Sequence, residues 1–118
     1  MNAKEFEEVI ESRWHRCLNV LGVKASEYAT SDRLHNFKVA AVLQQESPIK
    51  ALGGMMSKHT VSVYDLIKAE NRGEDVSLEL WDEKIGDHIN YLFLLWAAVV
   101  ENKNTEAVLR GGGLGNVR

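Results

Sequence analysis

Residues 77–102 read SLELWDEKIGDHINYLFLLWAAVVEN, and this stretch decides the fold. Ser77 is a favourable helix N-cap, and apolar side chains recur after it at three- and four-residue steps. The run from 89 to 100 is almost wholly apolar, but it is far shorter than the roughly 20 residues that a membrane-crossing helix needs. The stretch therefore predicts a long helix, about residues 78–102, that is buried in a helical bundle and spans no membrane.

The start of the chain predicts an amphipathic helix over about residues 2–21. Asn2 and Glu5 have capping-box spacing, and apolar residues follow at helical steps, with only Arg13 breaking the pattern. Gly22 is a typical stop signal just past the last apolar position. The polar residues 23–35 hold no clear period, so we expect a long loop there, which in a small domain is typical of a functional segment.

Two more helices are predicted between this loop and the last helix. Asn36 is expected to cap a short one. Ser47-Pro48 is a strong start for a long one, which continues to about residue 70 and ends at the Asn-Arg-Gly of residues 71–73. Gly53-Gly54 lies inside this helix, where each glycine costs roughly 1 kcal/mol, and predicts the close approach of another helix or a ligand.

Composition bounds the class of protein. The chain of 118 residues contains one proline and one cysteine, and its formal net charge is −3. A single cysteine excludes an internal disulfide or a cysteine zinc site and fits a reducing cytosol. The acidic balance argues against nucleic-acid binding, and neither a signal peptide nor the alternation typical of strands is visible. We expect one all-α domain, a small bundle of about four helices over residues 1–110, with a flexible glycine-rich tail at 111–118.

The last helix carries a polar strip opposite an apolar face. At 100° per residue, Glu79, Glu83, Asp87 and Asn90 lie on one side of the helix. Carboxylates at Glu83 and Asp87 point the same way and suit Mg²⁺, which prefers hard oxygen ligands. The alternative is a solvated acidic stripe without a ligand. The opposite face, which we expect to be core, carries Trp81, Ile85, Ile89, Leu92, Trp96 and Val99.

Cations and aromatic residues that suit a phosphorylated ligand lie elsewhere in the sequence. Lys58, in the middle of the third helix, is placed to meet a phosphate or one of the carboxylates, whereas its neighbour His59 falls on the apolar side and is expected to be a core histidine. The predicted loop and its edge offer cations for phosphate and an aromatic plane for a base. The remaining candidate binding residues are Lys24, Tyr28, Arg33, Asn36, Asn90 and Tyr91.

Several segments resemble a phage-associated all-helical family described as nucleotide-modification-associated. The stretch EKIGDHINY at residues 83–91 resembles that family's acid-x-x-x-Asp-x-x-Asn-Tyr segment. The segments at 27–29 (EYA), 32–37 (DRLHNF) and 57–59 (SKH) follow that family's order, so the resemblance covers about residues 24–101. It implies a phage or prophage protein of the host cytosol, with a helical fold and a polar site suited to nucleotides.

More distantly, the chain is similar to the MazG-like all-α nucleoside-triphosphate pyrophosphatases. Their metal ligands come from an E-x-x-E pair on one helix and an E-x-x-D pair on another. This chain departs from the pattern, because Glu83 and Asp87 are four residues apart and the third helix has no acidic pair. The resemblance implies a MazG-like bundle, with Mg²⁺-dependent cleavage of a nucleoside triphosphate as an open alternative and no catalytic residue assigned.

Two functions are expected from these features of the sequence. The first is a protein that binds a nucleotide or its derivative beside Glu83, Asp87 and Asn90, with or without Mg²⁺-dependent phosphoanhydride hydrolysis. The second is a non-enzymatic interaction protein that sequesters a nucleotide signal or binds a host protein. In either case the three tryptophans and the nearly all-round apolar last helix carry more apolar surface than one thin bundle buries, so we expect a homo-oligomer, a dimer or higher.

Overall fold

The computed structural model describes residues 1–27 and 32–111, with side chains for 1–22 and 32–111. Within these ranges the chain forms four α-helices and no strand, which confirms the predicted all-α bundle. They are α1 (Ala3–Glu27), α2 (His35–Gln44), α3 (Pro48–Asn71) and α4 (Leu78–Leu109). None of these helices combines the length and the apolar character needed to cross a membrane. Residues 112–118 of the predicted tail lie outside the described residues.

Local capping signals account for three helix starts. At α1, the Glu5 N–H donates to the Asn2 side chain and the Asn2 N–H donates to the Glu5 carboxylate, each at 2.8 Å, which is the predicted capping box. Ser47 accepts from the Lys50 N–H at 3.1 Å, with Pro48 at the first helical position of α3. Ser77 accepts from the Leu80 N–H at 3.2 Å and caps α4.

Two predictions about helix ends before α3 are wrong. The first helix continues through Gly22 to Glu27, so the predicted loop is shorter than residues 23–35. Nothing lies within 4 Å of a side chain added at Gly22, and a lone glycine costs only about 1 kcal/mol, so the helix formers after it carry the helix on. At α2 the N-cap is Leu34 and not Asn36, because the Asp32 carboxylate organises this turn by accepting from the Leu34 N–H at 2.9 Å.

The C-terminal end of α3 was predicted correctly, whereas that of α4 was not. The third helix ends at Asn71, as expected, with Gly73 in the left-handed region at φ +85°. The last helix runs to Leu109, seven residues past the predicted residue 102. Polar side chains in this extension form hydrogen bonds within the helix. The Thr105 hydroxyl, for example, donates to the Glu101 carbonyl at 2.9 Å. The apolar period that defined the prediction ends before the helix does.

The core lies where α2, α3 and α4 meet. Leu34, Phe37, Leu52 and Ala98 are buried together. Half-buried side chains pack around them, namely Ile49, Met55, Tyr91, Leu94 and Leu95. Among the described helices, the first packs against α4 alone. Of the two causes expected for Gly53-Gly54, the close approach of another helix is wrong, because nothing in the described chain lies within 4 Å of a side chain added at either glycine.

The face of α4 that was expected to be core is not covered by the rest of the described chain. Leu92 is 48% exposed and Trp96 is 54% exposed. Trp81, Ile85, Ile89 and Val99, on the same face, are only half-buried. The helix uses its other apolar side, with Leu94, Leu95 and Ala98, to cover α2 and α3. Periodicity identified an apolar face correctly but could not say which of two such faces the single chain buries.

Candidate functional site

A cavity of about 270 Å³ lies between all four helices on the polar side of α4. Two cations, a carboxylate and a carboxamide line it beside two rings that face each other. Its lining residues are Leu21, Arg33, Phe37, Lys58, His59, Asp87, Asn90, Tyr91 and Leu94. A volume near 300 Å³ is at the lower end of the range for small-molecule sites.

The last helix supplies the floor of this cavity. Asp87, Asn90, Tyr91 and Leu94 are spaced at i, i+3, i+4 and i+7, so they stand on one face of α4. Asn90 is only 8% exposed, and its Oδ1 is buried with no hydrogen-bond partner among the residues that the structure describes. A buried carbonyl oxygen without a partner costs roughly 1–3 kcal/mol, so the amide is better suited to a bound donor than to the empty cavity.

Two cations reach the cavity from different elements. Lys58 comes from the middle of α3, and Arg33 comes from the turn before α2. That turn is anchored by Lys38, whose ammonium donates to Asp32 at 2.6 Å and also pairs with Glu101 of α4. The hydrogen bond from Lys38 lowers the pKa of Asp32, and the same bond with that of Glu101 raises the pKa of Lys38. The ion pairs therefore hold the Arg33 turn against α4.

His59 was expected to be a core histidine, but it lines the cavity. Its ring lies 4.4 Å from that of Tyr91, centroid to centroid, with an interplanar angle of 34°. Burial lowers the pKa of His59, and the negative charge of Asp87 opposes this effect. The imidazole is thus neutral at pH 7 and adds an aromatic plane to the site. Two signals in the sequence pointed to it, its position directly after Lys58 and its place in the segment at 57–59 that resembles the phage-associated family.

A second cavity of about 270 Å³ adjoins the first across Asp87 and Asn90, which line both. It lies between α1 and α4, and Glu83 belongs to it. Cys17 is buried in its wall. The other residues that line it are Arg13, Arg16, Val20, Asp82 and Gly86.

The second cavity is organised by an ion-pair network that the sequence did not reveal. Asp82 accepts from the guanidinium groups of both Arg13 and Arg16, and Arg13 also donates to the Asp82 carbonyl oxygen at 3.3 Å. A side chain at Gly86 would come within 3.2 Å of the Arg13 guanidinium, so the glycine leaves room for it. Arg13 had drawn notice only as a break in the apolar pattern of α1, and the network joins residues about seventy positions apart.

The carboxylates proposed for Mg²⁺ have no third His, Cys, Asp or Glu beside them in the described part of the chain. Glu83 and Asp87 both line the second cavity. Across the described ranges, no three His, Cys, Asp or Glu side chains come together in a way that could hold a metal ion. An ion on this pair would complete its shell with water and ligand phosphates, which is how Mg²⁺ is commonly held. The donor set fits an ion that arrives with a nucleotide and does not form a cage for a resident metal.

The structure thus brings together most of the residues predicted for the site. Arg33, Lys58, Asn90 and Tyr91 line the first cavity with Asp87, and Glu83 lies in the adjoining one. Asn36 is exposed in the first turn of α2 and lines neither cavity. The Lys24 side chain and the whole of Tyr28 lie outside the described residues.

Comparison of the chain with protein-family models, with characterised proteins and with solved structures finds no match. The resemblances to the phage-associated family and to the MazG-like enzymes therefore stay predictions. What the protein binds has to be inferred from the two cavities themselves.

Proposed function

We propose that the protein binds a nucleotide or a nucleotide derivative in the cavity lined by Arg33, Lys58, Asp87, Asn90 and Tyr91. The observation that carries the proposal is Asn90, which lines a cavity together with two cations and whose buried Oδ1 has no partner in the described chain. Buried polar groups in proteins are nearly always hydrogen-bonded, so this oxygen is open to a hydrogen-bond donor, and we infer that a ligand supplies it.

The other groups in the cavity match the parts of a nucleotide. Lys58 and Arg33 supply positive charge for phosphate oxygens. The Tyr91 and His59 rings supply flat apolar surface beside the amide of Asn90. That amide suits the N–H of a base edge, because its unpartnered atom is an acceptor. The two adjoining cavities give room for a ligand longer than either one holds alone.

Two roles remain for a bound nucleotide, sequestration and hydrolysis. When bound with the ligand, Mg²⁺ on Glu83 and Asp87 would neutralise phosphate charge and favour phosphoanhydride cleavage. Among the described residues no third His, Cys, Asp or Glu joins the pair, so cleavage would depend on water and phosphate oxygens to complete the shell of the ion. Incubating the protein with each nucleoside triphosphate and Mg²⁺, followed by chromatography of the products, separates the roles. Release of pyrophosphate and a monophosphate indicates hydrolysis, and binding without products indicates sequestration.

Isothermal titration with matched variants tests the binding site. The titrants are the four ribonucleoside triphosphates and inorganic triphosphate, with and without Mg²⁺. We expect Lys58→Gln to weaken nucleotide binding about tenfold or more, since a charged hydrogen bond contributes roughly 1.5–3 kcal/mol. Lys68→Gln, an exposed change on the same helix, serves as the control and should have no effect. If none of the titrants binds, or if both variants lose affinity equally, the proposal is wrong.

Asp87→Asn tests the place of the metal. Because the variant keeps the size of the side chain and removes its charge, we expect it to abolish the gain in affinity that Mg²⁺ gives. Asp65→Asn, on the exposed side of α3, is the control and should keep that gain. An equal gain from Mg²⁺ in all three proteins would place the ion away from α4.

A further inference from the structure

The uncovered side of α4 forms a continuous apolar surface, which we call the open face and define by Trp81, Ile85, Leu92, Trp96 and Val99. These positions lie within about 60° of one another on the helix. Leu92 and Trp96 have about half of their surface exposed. None of the five carries a charge or a hydrogen-bonding group other than an indole N–H. A surface helix without a partner normally carries polar residues on such a side.

The first helix extends the open face. Its Trp14 ring meets Phe93 of α4 edge-on at 5.3 Å between centroids, and nearly half of Trp14 remains exposed. Ile10 and Leu18 lie one turn on either side of Trp14 and are exposed to a similar degree. The apolar surface therefore crosses from α4 to α1 without a charged residue between Trp14 and Phe93.

The chain exposes more surface than a compact monomer of its mass. A compact monomer of 13.3 kDa exposes about 6,500 Å². This chain exposes 8691 Å². Its radius of gyration is 17.4 Å, whereas about 13.5 Å is typical of a compact domain of 118 residues. The excess, roughly 2,000 Å², is of the size that each subunit buries in an obligate homodimer.

We propose that the open face and the exposed side of α1 bind the same surface of a second copy of this chain. In a two-fold dimer each residue near the axis meets its own counterpart, so any charge there would repel itself. The five side chains that define the open face carry no charge. The charged residues beside its Trp81 and Ile85 include both signs, as in the Arg13–Asp82 ion pair. Both nucleotide cavities lie toward the polar side of α4, so the dimer leaves them accessible, and the proposal does not rest on nucleotide binding.

Sedimentation equilibrium of the unmodified chain, from about 1 to 100 µM, tests the proposal without any mutation. We expect a mass of twice 13.3 kDa over this range. A mass of one chain at every concentration would overturn the proposal, because the apolar surface would then belong to a different partner.

A pair of variants then locates the interface. Trp96→Glu places a charge at the centre of the open face and should weaken dimerisation about 30-fold or more, as the loss of a central aromatic anchor typically does. Val61→Glu makes the same kind of change at a site on α3 that is 57% exposed, and it should leave the mass unchanged. Far-UV circular dichroism confirms that each variant stays helical, and Leu92→Lys serves as a second probe of the open face. A folded Trp96→Glu or Leu92→Lys chain whose dimer dissociates at the same concentration as that of the unmodified chain, followed by dilution below 1 µM, contradicts the proposal.

Discussion

Asn90 is the residue on which the proposed binding site depends most. It sits between the two cavities, and its amide is buried among side chains that leave Oδ1 without a partner in the described chain. A buried oxygen without a partner lowers the stability of the fold, so we expect it to serve another purpose. We infer that this purpose is ligand binding. A substitution that removes the oxygen should then weaken binding without lowering the stability of the fold.

We predict that Asn90→Leu keeps or raises the stability of the fold while abolishing nucleotide binding. Leucine removes the unsatisfied oxygen, so the free energy of unfolding should stay level or rise by about 1 kcal/mol. Urea denaturation and isothermal titration measure the two effects. Asn102→Leu, an exposed change on the same helix, should leave binding intact. Destabilisation of Asn90→Leu by several kcal/mol would instead indicate a structural role for the amide.

His59 gives the fold a specific dependence on pH. Its pKa lies below the ordinary 6.5 because burial disfavours the charged form. In the unfolded chain the imidazole takes up a proton near pH 6.5, while the folded chain resists protonation until a lower pH. The unfolded state is therefore favoured as the pH falls below 6.5, and at higher pH the histidine has no effect.

His59→Gln should thus reduce the loss of stability between pH 7.5 and pH 5.5. Urea denaturation at several pH values in this range gives the slope for each protein. Ser62→Ala, on the same helix, removes no titratable group, so it is the control and should keep the slope of the unmodified chain. Equal slopes in all three proteins would show that His59 does not account for the acid sensitivity.

Helix starts were predictable from sequence because their signals are local. A cap is a contact between residues three positions apart, as at Asn2, Ser47 and Ser77. Helix ends were less predictable, since Gly22 stops a helix only where the following residues gain more by leaving it. The start of α2 was missed because its turn is organised by Asp32, three residues before the helix.

We predict that Ser77→Ala and Ser47→Ala each lower the free energy of unfolding by about 1 kcal/mol. Each change removes the side-chain acceptor for a backbone N–H in the first turn of a helix. Ser62→Ala provides the contrast, because that hydroxyl lies in the interior of α3 and bonds only to the Lys58 carbonyl. Denaturant titration should find the Ser62 variant as stable as the unmodified chain or slightly more so.

The attachment of α1 depends on contacts between distant positions, which no sequence period reveals. Its described contacts are with α4 alone, and Asp82 joins the two helices by accepting from Arg13 and Arg16. We predict that Asp82→Asn loosens α1 selectively. Amide exchange in α1 should become about tenfold faster, corresponding to roughly 1.4 kcal/mol, while α3 keeps its protection. Uniform loss of protection in all helices would contradict this assignment.

At the scale of the whole molecule, the sequence predicted that α4 has an apolar face but not what covers that face. Periodicity predicted that Trp81, Leu92 and Trp96 face a core, but the single chain leaves Leu92 and Trp96 about half exposed and Trp81 only half-buried. A period identifies an apolar face and cannot tell whether the same chain or a second copy covers it. The proposed dimer reconciles the predicted core position of this face with its exposure in the single chain, because a second copy would bury it.

The clustering of the site likewise needed the tertiary structure. Arg33, Lys58 and Asn90 lie on different elements, and only the packing of α2, α3 and α4 brings them to one cavity. The sequence suggested Arg33 and Lys58 by their charge and placed Asn90 on the polar strip of the last helix by its spacing. Nothing in the spacing of the sequence joined Arg33 to α4, because the link runs through Lys38 and Glu101.

The most direct test of nucleotide binding is an NMR titration of the ¹⁵N-labelled chain with nucleoside triphosphates and Mg²⁺. The side-chain amide of Asn90 gives its own signals, and the backbone signals of Lys58, His59 and Tyr91 report the rest of the cavity. We predict saturable shifts concentrated at these four residues, with the largest change at the Asn90 side chain. Saturating shifts confined to other parts of the chain, or no shifts at millimolar nucleotide, would contradict the proposed site.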